Sequence, residues 1–295
     1  MDVIYRYDPY APIERRQVPD AESARQRLVE GNDRFVGLIA RMQQRMLGGA
    51  DVEPIVLPVC PVTMGLPLYP GAVPAQAPFA IVMGCADARV PVEQVFDLAF
   101  NDLFVLRVAG NILSTEGLGS LQYALSSFAE SLKLVVVLGH SKCGAVSAAV
   151  DSYLRPEYYV DLATTHALRG ILDQVQPSVR TSALAVGRKS DGLICDLDER
   201  SLITSVAVYV NAAMTALSLQ REIRSYGSHA PPVVFGVYDF DMLRVQDLPG
   251  ATASALRSAP ASADELTAYA AEVVTALKLI EDLGESQSHK MSVHW

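Results

Sequence analysis

Cysteine is scarce in this sequence of 295 residues, which contains four: Cys60, Cys85, Cys143 and Cys195. Small domains that are held together by disulfides contain cysteine at a much higher density, so a disulfide framework is excluded. The first residues carry early charges and lack the apolar stretch of a secretory signal. We therefore expect a cytoplasmic protein with reduced thiols, and reduced cysteines are available as metal ligands.

An excess of positive charge is also missing. Lys and Arg total 24 against 33 Asp and Glu, which gives a formal net charge of −9. Proteins that bind nucleic acids usually carry a basic surface, so we expect no nucleic-acid partner. Apolar runs such as residues 134–138 are far shorter than the roughly 20 residues that a membrane span needs, and we expect no membrane partner. Half of the residues are apolar, which is enough for a sizeable core.

The distribution of proline and of apolar runs predicts the organisation of the chain. Proline is concentrated in residues 48–78, which we interpret as a loop. Beyond this loop, short apolar strands alternate with helical patterns, which predicts an α/β fold with a mostly parallel central sheet flanked by helices. An N-terminal helical arm begins after the N-cap Asp20. We expect a single domain over residues 1–295.

Individual elements follow from the spacing of apolar residues. Strands are predicted over four short runs: residues 79–83, 103–108, 134–138 and 233–238. Helices are predicted over residues 93–99, 118–131, 145–150, 202–223 and 263–283. The stretch between the third and fourth of these helices gives no clear assignment, and residues 284–295 show no clear pattern.

Potential zinc ligands follow two of the predicted strands. Cys85 comes just after the strand at residues 79–83, and His140 and Cys143 follow the strand at residues 134–138 in the same way. If these are neighbouring parallel strands, they end at the same edge of the sheet, where α/β proteins bind ligands. We therefore expect the three side chains to form one cluster. Three protein ligands leave a fourth position open, which distinguishes catalytic from structural zinc.

A simpler interpretation is open for each motif taken alone. A cysteine after an apolar strand is often a small buried hydrophobic residue, and a single His-x-x-Cys pair arises easily by chance. The occurrence of both motifs at strand ends favours the metal site. The other cysteines, Cys60 and Cys195, have no ligand-like neighbours. The other histidines show no pairing and are assigned to solvent or packing: His166, His229, His289 and His294.

Residues 85–89 read Cys-x-Asp-x-Arg, and residues 140–144 read His-x-x-Cys-Gly. This pair of motifs resembles the signature of the β-carbonic anhydrases, and flanking residues resemble the plant-like subgroup of that family. Further matches lie in the N-terminal helix, in an Ala-Gly-Asn turn and in the last strand: residues 28–35, 107–111 and 236–239. The resemblance covers roughly residues 20–245, which it implies as the core of the domain. Relative to the family, the Pro-rich loop at residues 48–78 is an insertion and residues 248–295 are a helical C-terminal extension. One departure is Ala88, where the family usually has serine.

The resemblance implies an enzyme that hydrates carbon dioxide to bicarbonate, with zinc held by Cys85, His140 and Cys143. Asp87 would accept a hydrogen bond from the attacking water, and Arg89 would hold this carboxylate off the metal. The family also implies a closed state in which Asp87 itself becomes the fourth ligand. The alternative from the residues alone is an exposed ion pair of little consequence.

The substrate pocket is implied by the resemblance to contain four further positions: Gln76, Phe104, Tyr123 and Gly144. Glutamine would donate to bicarbonate, and the two aromatic residues would line a pocket for carbon dioxide. In the family, the glutamine and the aromatic residues reach the site across a subunit contact, which implies a homodimer or a dimer-based higher oligomer. Core packing is the alternative role for these three residues. The N-terminal helix from Asp20 resembles the arm that embraces a partner subunit, and packing on its own domain is the alternative for this helix.

Other functions remain open at this point. Hydrolases of carbonyl sulfide or carbon disulfide resemble this family, and the loop at residues 48–78 could alter access to the pocket. A non-catalytic zinc protein that binds bicarbonate or acts as a scaffold would have no need of Asp87 and Arg89. A thiol-redox protein is disfavoured because no Cys-x-x-Cys is present. Because two thiolates and one imidazole neutralise the charge of Zn²⁺, we expect activity to favour mildly alkaline pH.

Overall fold

The structure is a computed structural model that describes residues 3–7, 18–48, 55–59, 70–71, 73, 76–187, 197–225 and 230–292, with the side chains of residues 3, 5, 7, 48, 55–59, 197 and 281–292 outside the description. In these ranges the central sheet has six strands in the order β4-β3-β5-β6-β7, and β8 pairs with β6. A separate pair is formed by β1 and β2. The strands are β1 Val3–Tyr7, β2 Ile55–Val59, β3 Ala80–Gly84, β4 Leu103–Arg107, β5 Leu134–His140, β6 Val233–Asp239, β7 Arg244–Gln246 and β8 Arg257–Ser258.

The central strands are apolar because both of their faces are buried. β4, β3, β5 and β6 pair in parallel, and every residue of β3 and β5 is buried. Such two-sided burial requires continuous apolar runs. The predicted mostly parallel sheet is therefore confirmed. The short strands β7 and β8 run antiparallel to β6 and were not predicted, because two or three residues give no periodic signal.

Helices cover the two faces of the sheet. They are α1 Ala21–Gly48, α2 Val92–Val95, α3 Thr115–Ser127, α4 Gly144–Leu154, α5 Tyr159–Leu162, α6 His166–Val186, α7 Leu197–Ile223 and α8 Ala263–Ser292. Ile81 and Met83 point to one face, where they share a core with α3, α4, α6, α7 and α8. Ala80 and Val82 point to the other face and pack with α1 and the segment around α2.

The first half of α1 packs on its own domain. A side chain at Gly31 would place its Cβ 1.9 Å from the carbonyl oxygen of Phe96, so only glycine permits this approach. The next residue, Asn32, donates from Nδ2 to the Val95 carbonyl at 2.9 Å and accepts at Oδ1 from the Val245 N–H at 2.8 Å. The predicted N-cap is present, since Asp20 Oδ1 accepts from the Ser23 N–H at 2.8 Å.

Several predicted boundaries were wrong. The helix predicted over 93–99 covers only Val92–Val95, because Asp97 adopts a φ of 45° that a helix cannot contain. The helix predicted over 118–131 begins one turn earlier, where Ser114 caps it, and ends at Ser127. The helix predicted over 145–150 extends to Leu154, and the C-terminal helix continues past residue 283 to Ser292.

Two longer segments also differ from the predictions. The region between α4 and α7 contains α6, whose amphipathic pattern is interrupted in the sequence by Pro177. In the loop predicted over 48–78, Ile55–Val59 forms a strand that pairs in parallel with Val3–Tyr7. Most of the remaining loop lies outside the described residues, as do Cys60, Cys195, His229 and His294.

Helix α7 is an exception to the expectation that no apolar segment is long enough to span a membrane. By length and composition, Asp198–Ile223 is apolar enough to cross a membrane. In the fold, however, 72% of its most apolar window is buried inside the protein. Its apolar residues therefore serve the core of the domain, where they pack against β5, β6 and α6.

Candidate metal centre

Three potential metal ligands meet at the carboxyl ends of β3 and β5. The two strands are neighbours, with Gly84 paired to Leu138, so Cys85 emerges beside the end of β5. His140 is the last residue of β5, and Cys143 caps the N-terminus of α4. Between them Lys142 has a φ of 56°, which turns the chain sharply. The ligand atoms of the two cysteines and the histidine all lie within 4.8 Å of one another, as the strand-end rule predicted.

This cluster fits a zinc ion. Its three residues are buried, with 5% of Cys85, 1% of His140 and 2% of Cys143 exposed. The Nδ1 atom of His140 lies 2.9 Å from the Ser141 carbonyl, whereas its buried Nε2 has no hydrogen-bond partner. A buried polar atom without a partner is costly unless a further ligand satisfies it. Two thiolates and one imidazole are a donor set that zinc prefers, and zinc is the cofactor of this site.

The two thiols form a hydrogen bond with each other that shifts their pKa values in opposite directions. The hydrogen bond with Cys143 lowers the pKa of Cys85 to about 4, although burial acts in the opposite direction. The same hydrogen bond and burial raise the pKa of Cys143 far above its usual value. Because zinc binds sulfur as thiolate, a metal ion held by this pair would displace protons from the two thiols.

Asp87 and Arg89 form a bidentate ion pair beside the ligands. Arg89 donates from Nε to Asp87 Oδ1 at 3.0 Å and from Nη2 to Oδ2 at 2.7 Å. The backbone N–H of Arg89 adds a third bond to Oδ1 at 2.9 Å. These hydrogen bonds, chiefly the one from the guanidinium, hold the pKa of Asp87 well below its usual range. Asp87 Oδ2 lies 3.9 Å from His140 Nε2, so an ionised carboxylate stands at the edge of the cluster.

Phe240 supports this ion pair and was missed in the sequence. The guanidinium carbon of Arg89 lies 4.3 Å from the centroid of its ring, and the His140 ring lies 5.2 Å away on a tilted contact. The Phe240 N–H donates to Ser141 Oγ at 2.9 Å, which ties the turn after β6 to the turn after β5. A signal was available, because Phe240 directly follows a third apolar strand and such strand ends line the sites of α/β folds.

Hydrogen bonds from Arg107 and Gly110 position the loop that carries Cys85 and Asp87. Arg107, at the end of β4, donates from Nε to the Cys85 carbonyl at 3.0 Å and from Nη2 to the Asp87 carbonyl. The N–H of Gly110 donates to Cys85 Sγ at 3.3 Å. Both residues lie in the segment that matches the Ala-Gly-Asn turn of the family, but the sequence did not assign them a role at the metal.

The predicted pocket residues lie apart from this network. Phe104 and Tyr123 both contact Phe128, at ring-centroid distances of 5.9 Å and 5.8 Å. Tyr123 is 57% exposed, and Gln76 is also exposed. Among the described contacts, none joins these three residues to the metal ligands. Gly144 differs, since it follows Cys143 directly and a Cβ there would meet nothing within 4 Å.

Comparison with known proteins agrees with the geometry. A family model described as carbonic anhydrase matches residues 80–241. Carbonic anhydrase 2 of Mycobacterium tuberculosis is 36% identical over 153 residues, which cover 50% of this chain and 66% of that protein. The carbonic anhydrase of Mycolicibacterium smegmatis is 33% identical over 144 residues, covering 49% and 64%. The chain thus spans slightly less than two thirds of the length of these relatives.

A solved structure was also found. The β-carbonic anhydrase of Coccomyxa in complex with acetazolamide superposes with a TM-score of 0.46 at 21% identity, covering 58% of this chain and 72% of that one. The family match spans more than half of the chain and includes all three metal ligands, Asp87 and Arg89. The chain belongs to the β-carbonic anhydrase family.

Proposed function

We propose that this protein catalyses the reversible, zinc-dependent hydration of carbon dioxide to bicarbonate and a proton. The observation that carries this proposal is the buried cluster of Cys85, His140 and Cys143 with the ionised Asp87 at its edge. Cys85, His140 and Cys143 would hold a zinc ion, which would act as a Lewis acid and lower the pKa of a bound water from 15.7 to about 7. Hydration needs such a nucleophile at neutral pH, because bulk water supplies almost none.

Asp87 orients the attacking water in this proposal. Its Oδ2 faces the cluster from 3.9 Å and is kept ionised by Arg89, so it accepts a hydrogen bond and directs a lone pair toward the substrate. Arg89 fixes the carboxylate in a bidentate pair and thereby restrains it from approaching the metal. Release of this pair would allow Asp87 to occupy the fourth position and close the site.

The substrate pocket is completed by a second subunit in this proposal. Phe104 on the outer strand β4 and Tyr123 on α3 both contact Phe128 rather than the ligands of their own chain, and Gln76 is exposed. Exposed aromatic surface here includes Phe100, which is 61% exposed. A homodimer that buries this edge would present the aromatic residues and the glutamine to the partner's metal. Bicarbonate would then lie between the metal and the glutamine amide.

The direct test is stopped-flow hydration of carbon dioxide by the zinc-loaded protein, from mildly acidic to mildly alkaline pH. Cys143→Ser is the matched control, since it changes one ligand atom and preserves the size of the side chain. We expect rapid turnover that rises toward alkaline pH and disappears in the control. A rate that stays flat into mild acid would contradict the expected effect of the two thiolates on the bound water.

Absence of turnover in protein with a full complement of zinc would contradict the proposal. The same samples are then assayed with carbonyl sulfide and carbon disulfide, which are also small, linear and apolar. Hydrolysis of either would identify the alternative enzyme on this scaffold. If neither reacts, binding of labelled bicarbonate would identify the non-catalytic alternative, which leaves the Asp87–Arg89 pair without a role.

A further inference from the structure

A buried chain of hydrogen bonds runs from two helices to the sulfur of Cys85. Ser178 on α6 donates from Oγ to Asn211 Oδ1 at 3.2 Å, and Asn211 on α7 donates from Nδ2 to the Gly110 carbonyl at 2.8 Å. Gly110 in turn donates its N–H to Cys85 Sγ at 3.3 Å. We propose that Asn211 is a positioning residue for the metal ligand Cys85 and acts through the backbone of Gly110.

Asn211 is buried, so its side-chain amide depends on hydrogen bonds to other protein groups. Only 2% of Asn211 is exposed, and the neighbouring positions Val210 and Ala212 are fully buried. An amide in such surroundings loses its hydrogen bonds to water and is tolerated only when protein groups replace them. An apolar residue would suit the packing of α7 better, but it would leave the Gly110 carbonyl without this donor.

Gly110 needs an external anchor because glycine has unusual backbone freedom. Its φ of 69° lies in the left-handed region, and an added Cβ would come within 3.2 Å of Ala145 Cβ and 3.4 Å of a Val175 methyl. The N–H that reaches Cys85 and the carbonyl that binds Asn211 lie on opposite sides of the Gly110 Cα. Holding the carbonyl therefore restrains the rotation that would swing the N–H away from the sulfur.

An N–H directed at a ligating sulfur affects the metal in two ways. It fixes the direction of the sulfur lone pairs, and it withdraws electron density from the thiolate, which changes the metal–sulfur bond. Arg107 already fixes the carbonyl of Cys85, so the same residue is held at both its backbone and its side chain. Asn211 thus connects the helical layer to the metal over 101 residues of sequence.

The test measures metal affinity and the metal–sulfur bond rather than catalytic activity. Asn211→Leu removes both bonds at similar side-chain size. Ser178→Ala is the control because it removes the bonds of the Ser178 hydroxyl to Asn211 and Met214 in the same buried interface but keeps the Asn211–Gly110 bond. We expect Asn211→Leu to weaken zinc affinity, measured by chelator competition, by about 10- to 100-fold. It should also shift the thiolate-to-cobalt charge-transfer band of the Co²⁺-substituted protein. Ser178→Ala should leave the zinc affinity within about twofold of wild type and the charge-transfer band unshifted.

Two results would overturn the inference: wild-type affinity and an unshifted band in Asn211→Leu, or an equal loss in Ser178→Ala, which would indicate general damage to the core. If Asn211→Leu does not fold, Asn211→Ser decides between the outcomes, since its hydroxyl is too short to reach the Gly110 carbonyl. The inference rests on the zinc site of the proposed function but not on the reaction. A protein that responds as expected yet hydrates no carbon dioxide would contradict only the proposed function.

Discussion

The metal ligands and the predicted pocket residues differ sharply in their surroundings. Cys85, His140 and Cys143 are at most 5% exposed, and Cys85 and His140 form hydrogen bonds with the neighbouring backbone. Tyr123, in contrast, is 57% exposed, and its described ring contact is with Phe128. The metal ligands are thus enclosed by their own chain, whereas the predicted pocket region exposes aromatic surface.

This difference follows from the positions of the strands. β3 and β5 have neighbours on both sides and helices on both faces, so residues at their ends are surrounded by the fold. β4 has an intermediate burial over most of its length because it is the outer strand. We infer that the metal half of the site is determined by the fold of the chain, and that the pocket half depends on what covers β4.

Loss of a metal ligand should reduce activity more than any other change in either region. We expect Cys143→Ser to lower carbon dioxide hydration by more than about 100-fold, beyond the loss typical of residues that only support ligands. Zinc content measured after dialysis should fall with it. Cys195→Ser is the control, because that cysteine has no ligand-like neighbour in the sequence. Full zinc content in Cys143→Ser would mean that the buried cluster is not the metal site.

Removal of Arg89 should have the next largest effect. We expect Arg89→Ala to reduce turnover by about 10- to 100-fold while zinc stays bound, because Asp87 is freed at 3.9 Å from His140 Nε2 and can approach the metal. Arg89→Lys should restore little, since a lysine lacks the bidentate geometry. Near-wild-type turnover in Arg89→Ala would remove the pair from the mechanism.

A smaller effect is expected at Phe240, which supports Arg89 without touching the metal. Phe240→Leu loses a cation–π contact of about 0.5–1 kcal/mol, which corresponds to about a two- to fivefold decrease in turnover. Phe240→Tyr keeps the ring and should retain the wild-type rate. An equal loss in Phe240→Tyr would contradict this role, because that variant keeps the ring that stacks on Arg89.

The smallest effect on folding is expected in the pocket region. Tyr123→Ala should lower the free energy of unfolding by about 1 kcal/mol or less, because the exposed ring loses only its edge contact with Phe128. Leu121→Ala on the same helix removes a side chain that is 1% exposed and should cost about 2–5 kcal/mol. Chemical denaturation measures both, and sedimentation tests whether Tyr123→Ala weakens a dimer. A large loss of stability with an unchanged oligomer would assign Tyr123 to core packing instead.

Prediction from the sequence succeeded where the chemistry follows a strong local pattern. The apolar runs at residues 79–83 and 134–138 predicted β3 and β5, and parallel pairing placed their C-terminal residues together. Prediction failed at α6, where Pro177 interrupts the pattern, and at β7 and β8, which are too short for one. The strand formed by Ile55–Val59 was missed because the surrounding prolines suggested a loop.

By itself, the sequence determined the ligand types, their order along the chain and the strands that carry them, because these depend on residue identity and short-range periodicity. The tertiary structure alone decided which distant residues support the ligands. Phe240 contacts Arg89 and His140, and Asn211 reaches Gly110, only because β6 and α7 pack against the end of β5. Contacts between residues this far apart in sequence leave no local spacing to recognise, since they depend on how whole elements pack.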